Sequence, residues 1–373
     1  MSRGTLLFIA NVDWFFISHR MAIARAARAA GYAVHVACGL TGREAELRDA
    51  GLSVHPLRLS RASTHAFDQL RLARAMADVI RAVRPDIVHL VTIKPVLIGG
   101  AVARLLRVPR VVAAISGLGY VFIASGPLAR IKRRIIGGLY RLALASPRAR
   151  VIFQNADDRE LIAALAGLLP GQVRMIRGSG VDLDRLRPEP LAPGRFCVAL
   201  ASRLLVDKGV REFVAAAALL RARGLDARFV VAGDLDPENP ACVPAEEVEA
   251  WRRDGAVEIV GHVADIRPLF ARAHVIALPS YREGMPLVLL EAAACGRAVV
   301  TTDVPGCRDA IEPGVSGLLV PVRDPAALAD ALALLATDRE RCARMGQAGR
   351  RLAESAFSLD EVVATHLRIY AEP

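Results

Sequence analysis

Short apolar runs alternate with amphipathic stretches along most of this 373-residue chain, and this alternation limits the folds that it can adopt. The runs do not alternate apolar with polar residues, which indicates strands buried on both faces of a parallel sheet. The stretches between them have helical periodicity, as in β-α-β units. The predicted strands are 6–10, 33–37, 53–57, 87–91, 111–115, 151–154 and 173–176, then 196–201, 229–232, 257–260, 275–278 and 298–301.

A proline-rich segment at 187–194 divides the alternation into two series. Its three prolines and one glycine exclude a continuous helix or a central strand. The sequence therefore predicts an α/β protein with two Rossmann-like, doubly wound domains, at 1–187 and 195–355, joined by a linker at 188–194. A last helix at 356–373 is expected to pack back towards the first domain. Ligands of such sheets bind beyond the carboxyl ends of the strands, so two facing domains would enclose one cleft.

Charge is distributed unevenly along the chain. Residues 1–190 contain 28 Lys and Arg against 13 Asp and Glu, whereas the remaining residues contain 21 against 25. A basic first half favours an anionic partner, such as nucleic acid, an anionic membrane surface or a phosphorylated lipid. Arginine used simply as a soluble surface residue is the alternative.

The spacing of the cysteines and the lengths of the apolar runs indicate the cellular compartment of the protein. The six cysteines form no CxxC pair and have no histidine at metal-ligand spacing, so we expect reduced thiols in a cytosolic protein. The N-terminal apolar run is too short for a signal peptide. The uncharged run at 111–129 contains glycines and a proline, and we interpret it as a buried strand and a loop rather than a transmembrane helix.

The segment from Glu283 to Glu291 follows a predicted strand and starts a predicted helix. Pro286 suits the first helical position, where its missing N–H costs nothing. Met285 cannot cap the helix with its side chain, so the first-turn N–H groups and the helix dipole favour an anion. One carboxylate at a reacting sugar and one at a ribose diol would fit this layout. Two solvated glutamates on an ordinary strand–loop–helix unit are the alternative.

A second segment, from Ser202 to Gly209, follows the first strand of the second domain. Arg203 and Lys208 lie five residues apart across a strand–helix turn, where they could straddle one diphosphate and neutralise its charge as a leaving group. Two surface cations beside a helix start are the alternative.

Together these two segments resemble the retaining glycosyltransferases of family 4, which have the GT-B fold, and the resemblance covers essentially the whole chain. Further segments narrow it towards bacterial transferases that extend a sugar on undecaprenyl diphosphate, including N-acetylgalactosaminyl and galactosyl transferases of O-antigen, capsule and N-glycan assembly. These segments are 60–63, 116–120, 155–157, 178–182, 233–242, 261–263, 278–280 and 305–307.

The resemblance implies a role for each matched residue. Arg203 and Lys208 would hold the donor diphosphate, Glu283 would bond hydroxyls of the donor sugar, and Glu291 would bind the ribose. The backbone near Val263 would recognise the base, most often uracil. The stretch after Glu283 would offer backbone N–H groups to phosphate or sugar; it comprises Gly284, Met285, Pro286 and Leu287.

The implied reaction retains the anomeric configuration through an oxocarbenium-like state. The leaving group departs and the acceptor attacks on the same face, and the departing phosphate oxygen takes the acceptor proton, so no dedicated base is needed. The resemblance also implies a UDP-sugar donor that serves as substrate, with no cofactor and no required metal. Asp234 and Asp236 resemble a DxD metal motif, but two cations already serve the phosphates.

One departure from the family pattern concerns the loop after the strand at 111–115. Many members carry a histidine there, whereas this chain has Ser116 and Gly117. Ser116 or the glycine backbone could make the first domain's contact with the donor sugar instead.

Basic residues of the first domain are candidates for the acceptor. Arg20, Arg61 and Lys94 follow predicted strands at one edge and could pair with a lipid diphosphate; ordinary surface cations are the alternative. The basic, amphipathic stretch at 130–142 would suit an anionic membrane surface, and an ordinary helix with an apolar core face is its alternative. We therefore expect a cytoplasmic protein, peripheral on the inner face of the bacterial cytoplasmic membrane.

Other classes of protein remain as rivals. A nucleotide-sugar epimerase on the same fold, or a transferase to a soluble acceptor, would share much of this pattern. An oxidoreductase is disfavoured because no GxGxxG follows the first strand. A kinase or ATPase is disfavoured because there is no Walker A motif. A nucleic-acid binder is disfavoured because aromatic residues form only 5% of the chain and do not interleave with the basic ones.

Overall fold

The computed structural model describes residues 3–57, 65–118 and 127–372, with the backbone alone described at 66 and 127–133. The chain divides into two compact units. Unit 1 comprises Met1–Ser179 and Asp360–Pro373, and unit 2 comprises Gly180–Leu359. Each unit is an α/β domain built around one parallel sheet, as the alternation of apolar and amphipathic stretches predicts.

The sheet of unit 1 has seven parallel strands in the order β3-β2-β1-β4-β5-β6-β7. This is a doubly wound order, with its reversal between β1 and β4. The strands are β1 (Thr5–Val12), β2 (Ala33–Gly39), β3 (Ser53–Pro56), β4 (Ile87–Val91), β5 (Arg110–Ile115), β6 (Arg150–Phe153) and β7 (Val173–Met175).

Helices cover both faces of this sheet. Leu7 and Ile9 of β1 lie in one core cluster, and Leu6 and Phe8 lie in the other, so successive residues of one strand are buried on opposite faces. The helices of unit 1 are α1 (Asp13–Ala29), α2 (Glu44–Asp49), α3 (Ala66–Val83), α4 (Gly100–Leu105), α5 (Pro127–Leu144), α6 (Ala156–Ala166) and α13 (Leu359–Ala371).

The C-terminal helix α13 packs in unit 1. Val362, Ile369 and Tyr370 belong to the core cluster that contains Phe8 of β1. The phenol of Tyr370 lies 2.5 Å from Nδ1 of His89 on β4. These contacts attach the end of the chain to the sheet of the first domain.

The sheet of unit 2 has six parallel strands in the order β10-β9-β8-β11-β12-β13. Its strands are β8 (Phe196–Ala201), β9 (Ala227–Ala232), β10 (Glu258–Gly261), β11 (Val275–Leu278), β12 (Ala298–Thr302) and β13 (Gly317–Val320). Its helices are α7 (Val210–Ala222), α8 (Ala245–Asp254), α9 (Arg267–Arg272), α10 (Leu287–Ala294), α11 (Pro325–Thr337) and α12 (Arg339–Ala356).

The edge strand β13 was not predicted from the sequence. It is a four-residue strand that begins at a glycine, so its apolar run is too short to stand out. A Cβ on Gly317 would lie 2.6 Å from the carbonyl oxygen of Val299, which explains why glycine starts the pairing with β12.

The predicted linker is also placed differently. The units divide at Ser179/Gly180, so residues 188–194 belong to unit 2 and the domain boundary lies earlier than expected. The segment packs along its own unit: Arg297 donates to the carbonyl oxygen of Glu189 at 3.0 Å, and His274 Nε2 lies 2.9 Å from the carbonyl oxygen of Ala192. The prolines mark an extended arm along a domain surface rather than a free connection.

No helix within the described ranges is long and apolar enough to cross a bilayer. The apolar run at 111–115 is the buried strand β5.

Gly209→Ala is predicted to destabilise unit 2 strongly because Gly209 has φ +72° and its added Cβ would lie 2.1 Å from the carbonyl oxygen of Pro279. Gly255→Ala is the matched control, with φ +69° and no atom within 4 Å of the added Cβ. We expect the free energy of unfolding in urea to fall by at least about 2 kcal/mol more in Gly209→Ala than in the control. Equal losses in the two variants would contradict the close approach of these loops.

Candidate active site

The two predicted motifs of unit 2 meet at the carboxyl edge of its sheet. Arg203 and Lys208 follow β8, and Glu283 follows β11. Strands β8 and β11 are adjacent in the sheet, and the strand order reverses between them. Parallel sheets of this kind bind ligands at such a switch point, so the motifs form one candidate site.

Lys208 and Glu283 form a direct ion pair. The Lys208 Nζ lies 2.5 Å from Glu283 Oε1, and the two side chains are only 18% and 12% exposed. The hydroxyl of Ser280 donates to the same carboxylate oxygen at 2.8 Å. Two donors therefore fix the carboxylate in place. An ammonium group has three donors, so Lys208 can bind this carboxylate and a phosphate oxygen together.

Backbone contacts hold the loops of this pair against each other. The Tyr281 N–H donates to the carbonyl oxygen of Asp207 at 2.9 Å, which joins the loop after β11 to the turn that carries Lys208. The Glu283 N–H donates to the carbonyl oxygen of Pro305 at 3.2 Å, which joins the same loop to the one after β12. The position of Glu283 is thus set by three loops.

Arg203 is held by a residue that the sequence interpretation left outside the site. Its Nη1 lies 2.6 Å from Asp236 Oδ2, and Asp236 is 9% exposed. Asp236 follows β9, the neighbour of β8, so the DxD-like segment positions a cation. The sequence does contain a signal for the Arg203–Asp236 pair, because each residue follows a strand and the two strands are neighbours in the sheet.

The helix α10 starts one residue later than predicted. Pro286 has φ −72° and ψ 116° and is the N-cap, and Leu287 is the first helical residue. Gly284, Met285 and Pro286 are buried, whereas Leu287 is partly exposed. The predicted donor-binding stretch is therefore a packed turn that leads into the helix.

Glu291 lies on α10, in surroundings that favour its neutral form. Burial raises the pKa of Glu291 to about 7, with the negative charge of Asp265 acting in the same direction and the guanidinium of Arg185 opposing it. Val263 follows β10 and packs against the same core cluster as the residues of α10. Glu291 and Val263, which are predicted to bind the ribose and the base, are therefore both next to this core cluster of unit 2.

The predicted residues of unit 1 are arranged differently from the expectation. Arg20 is 2% exposed, and its guanidinium donates to the hydroxyls of Ser116 and Ser179 at 3.3 and 3.2 Å. Arg20 was expected just after the first strand, but helix α1 begins at Asp13, so Arg20 lies in its second turn and faces the core. Its burial also excludes the alternative of an ordinary surface cation. Arg20 positions Ser116, and Gly117 beside it has φ +107°.

Lys94 follows β4 and is partly buried, and burial lowers the pKa of its ammonium group. Two residues earlier, Thr92 has φ +75°, which is an outlier for a β-branched residue. No residue pattern around Thr92 indicates this strained turn. Arg61 lies outside the described residues.

The pH dependence of stability tests the environment of Glu291. The pKa of this carboxyl rises from 4.5 to about 7 on folding, so the folded state binds the extra proton and its stability falls as pH rises between these values. Glu291→Gln removes this loss. We expect the melting temperature of Glu291→Gln minus that of the wild type to increase as the pH is raised from 5 to 7.5.

The control for this experiment is Glu340→Gln, since Glu340 is 85% exposed on α12. Its melting curve should follow that of the wild type at every pH. A constant difference between Glu291→Gln and wild type across the range would show that the pKa of Glu291 is not raised.

Comparison with known proteins identifies the family of this chain. Residues 195–338 match the family model described as glycosyl transferases group 1, and residues 5–155 match the model described as glycosyl transferase 4-like. A relative from Campylobacter jejuni is 31% identical over 87% of both chains; it is named N,N'-diacetylbacillosaminyl-diphospho-undecaprenol alpha-1,3-N-acetylgalactosaminyltransferase. A capsular polysaccharide biosynthesis glycosyltransferase from Staphylococcus aureus is 24% identical over 78% of both chains.

Solved structures share the fold at low sequence identity. HepE of Anabaena, solved with UDP and glucose, has a TM-score of 0.80 at 19% identity and covers both chains completely. A sucrose-phosphate synthase of Thermosynechococcus elongatus has a TM-score of 0.81 at 20% identity, over 99% of this chain and 98% of its own. The family matches, the relatives and the two parallel sheets together show that this chain belongs to the group 1, family 4-like glycosyltransferases of the GT-B fold.

Proposed function

We propose that this glycosyltransferase moves a hexose or N-acetylhexosamine from a UDP-sugar to a saccharide carried on undecaprenyl diphosphate. The observation that carries the proposal is the Lys208–Glu283 pair beside Arg203 at the switch point of the second sheet. The name of the Campylobacter relative supports the acceptor, and the UDP bound to HepE supports the donor.

Two cations would bind the donor diphosphate. Lys208 keeps two N–H donors beyond its bond to Glu283, and the planar guanidinium of Arg203 has five donors, so each can bind phosphate while keeping its carboxylate partner. Because negative charge grows on the diphosphate as the sugar departs, fixed cations stabilise the transition state more than the ground state. Asp236 fixes the guanidinium of Arg203 before the donor arrives.

The carboxylates would bind the sugar and the ribose. Glu283 is held by Lys208 and Ser280 through one oxygen, Oε1, which leaves Oε2 as an acceptor for hydroxyls of the donor sugar. Glu291 would bind the ribose, with the base at the backbone near Val263. A carboxyl whose pKa is about 7 can both donate to and accept from a ribose diol near neutral pH.

The reaction would retain the anomeric configuration and need no metal. The acceptor hydroxyl attacks the anomeric carbon on the face from which UDP leaves, and its proton passes to the departing phosphate oxygen. Glu283 is engaged by an ammonium group and is better suited to orienting the sugar than to acting as a base. Asp236 pairs with Arg203, which supports a role for the DxD-like segment in positioning a cation of the site rather than in binding a metal.

Transfer with purified protein tests this proposal. UDP-sugars are incubated with an undecaprenyl diphosphate-linked aminosugar, with and without EDTA, and product mass, anomeric configuration and released UDP are followed. We expect transfer that survives EDTA, and a fall in kcat of about 10²–10³ in Lys208→Ala and Glu283→Gln. The control Glu249→Gln, whose side chain is 55% exposed on α8, should keep full activity.

Inverted product or loss of transfer with EDTA would overturn the retaining or the metal-independent part of the proposal. Full activity of Lys208→Ala would overturn the site itself. Transfer only to a soluble saccharide would show that the acceptor is not lipid-linked.

The exposed residues of α4 and α5 in unit 1 support the proposal that the acceptor is held at a membrane. Leu105 on α4 is 80% exposed, and Ile135, Leu139 and Leu142 on α5 are 60%, 41% and 48% exposed. Arg104 Nη1 donates to the carbonyl oxygen of Leu142 at 3.0 Å, which places the two helices side by side. Exposed arginines accompany them: Arg104, Arg134 and Arg141. Apolar side chains with flanking cations suit an anionic lipid surface.

This surface supports the proposal that the protein works on the inner face of the cytoplasmic membrane. Lys94, which follows β4, and Arg20 on α1 are the described candidates for a contact with the acceptor diphosphate. Binding to the membrane surface would bring the protein to the lipid-linked acceptor without a membrane-spanning helix.

Flotation with liposomes tests the membrane surface. The double variant Ile135→Ser/Leu139→Ser should lose most of its binding to vesicles of phosphatidylglycerol, because two apolar contacts with the acyl region are removed. Leu169→Ser is the control, since Leu169 is 59% exposed elsewhere on unit 1. Equal flotation of the double variant and wild type, or no flotation of wild type at low salt, would contradict membrane docking.

A further inference from the structure

Tyr281 contacts the segment that carries Lys208 at two points, one on either side of the lysine. Its backbone N–H donates to the carbonyl oxygen of Asp207 at 2.9 Å, and its phenol donates to Glu212 Oε1 at 2.7 Å. Asp207 directly precedes Lys208, and Glu212 lies in the first turn of α7, shortly after it. Both contacts come from one residue of the loop after β11, so they tie the lysine segment to that loop.

The side chain of Tyr281 is held at its hydroxyl and on one face of its ring. Burial and the Glu212 carboxylate raise the pKa of Tyr281 to about 12, against the opposing effect of the Arg323 guanidinium, so the phenol remains a hydrogen-bond donor at neutral pH. The guanidinium carbon of Arg323 lies 4.6 Å from the centroid of the Tyr281 ring, which is a cation–π contact. These contacts fix the orientation of the ring.

The segment around Lys208 needs such support because it is short and irregular. Residues Val206–Lys208 form a single helical turn, and Gly209 after it has φ +72°. The ammonium group of Lys208 reaches Glu283, which lies two residues after Tyr281. A flexible lysine side chain is positioned accurately only if its backbone is fixed relative to that of its partner. Tyr281 provides this, because it joins the lysine segment to the loop that carries Glu283.

We propose that Tyr281 is a positioning residue of the donor site, which holds Lys208 where its ammonium group can bind Glu283 and the departing diphosphate together. The inference rests on the proposed function, because it concerns the same lysine. A cation at the leaving group acts mainly in the transition state, so a lysine displaced by about 1 Å should lower kcat more than it raises the KM for the UDP-sugar.

A double-mutant cycle on the full chain tests this role. Tyr281→Phe, Lys208→Ala and the double variant are compared with the wild type in UDP-sugar turnover. We expect Tyr281→Phe to lower kcat about tenfold, with the KM for the UDP-sugar changed by less than about twofold, and to have no further effect in the Lys208→Ala background. A tyrosine that only stabilises the fold of unit 2 would lower the activity of both backgrounds by the same factor.

Substitutions of Glu212 give an independent readout. Glu212→Gln keeps an acceptor oxygen for the phenol and should retain most of the wild-type kcat, whereas Glu212→Ala removes the acceptor and should lower kcat as Tyr281→Phe does. The matched control for loss of a phenol is Tyr32→Phe in unit 1, where the hydroxyl donates to the carbonyl oxygen of Tyr370 at 3.3 Å. The kcat and KM of this control should equal those of the wild type.

Wild-type kcat in folded Tyr281→Phe, or the same fold-change in the wild-type and Lys208→Ala backgrounds, would overturn the positioning role while leaving the donor site intact. Full activity of Lys208→Ala would instead overturn the donor site itself, so the two failures are distinguishable. Should Tyr281→Phe fold poorly, the two Glu212 variants carry the test, and equal kcat in folded Glu212→Gln and Glu212→Ala would overturn the proposal.

Discussion

Three glycines allow the loops at the carboxyl edge of the second sheet to approach closely enough for their charged side chains to meet. A Cβ on Gly209 would lie 2.1 Å from the carbonyl oxygen of Pro279, and one on Gly233 would lie 1.8 Å from that of Ser202. A Cβ on Gly306 would lie 2.6 Å from the carbonyl oxygens of Glu283 and Gly284. All three have positive φ, so both backbone conformation and available space require glycine. The Lys208–Glu283 and Arg203–Asp236 pairs both depend on this packing.

The sequence predicts much of this site because the signals are local. A parallel sheet brings the carboxyl ends of its strands to one edge, so Arg203, Lys208 and Glu283 could be assigned to one place once their strands were recognised. The partners of these residues could not be assigned in the same way. Asp236 was considered only as a metal ligand, since nothing in its own segment indicates that Arg203 lies beside it.

The predictions about the fold that were wrong both depend on contacts between residues far apart in the sequence. The prolines at 188–194 correctly exclude a helix or central strand. Whether such a segment is a flexible linker or packs on a domain depends on residues far away in the sequence, here His274 and Arg297. In the same way, Arg20 has the charge of a surface residue, and only the start of α1 decides that it faces Ser116 and Ser179. Local composition does not reveal either outcome.

The central claim is that the carboxyl edge of the second sheet binds the diphosphate of the donor, and a crystal structure with UDP tests it most directly. The account predicts phosphate oxygens within hydrogen-bond distance of Lys208 Nζ and the Arg203 guanidinium, with the ribose at Glu291. It also predicts that the Lys208–Glu283 contact persists, because one ammonium group can serve both partners. UDP bound with its phosphates away from Lys208 and Arg203 would contradict the account.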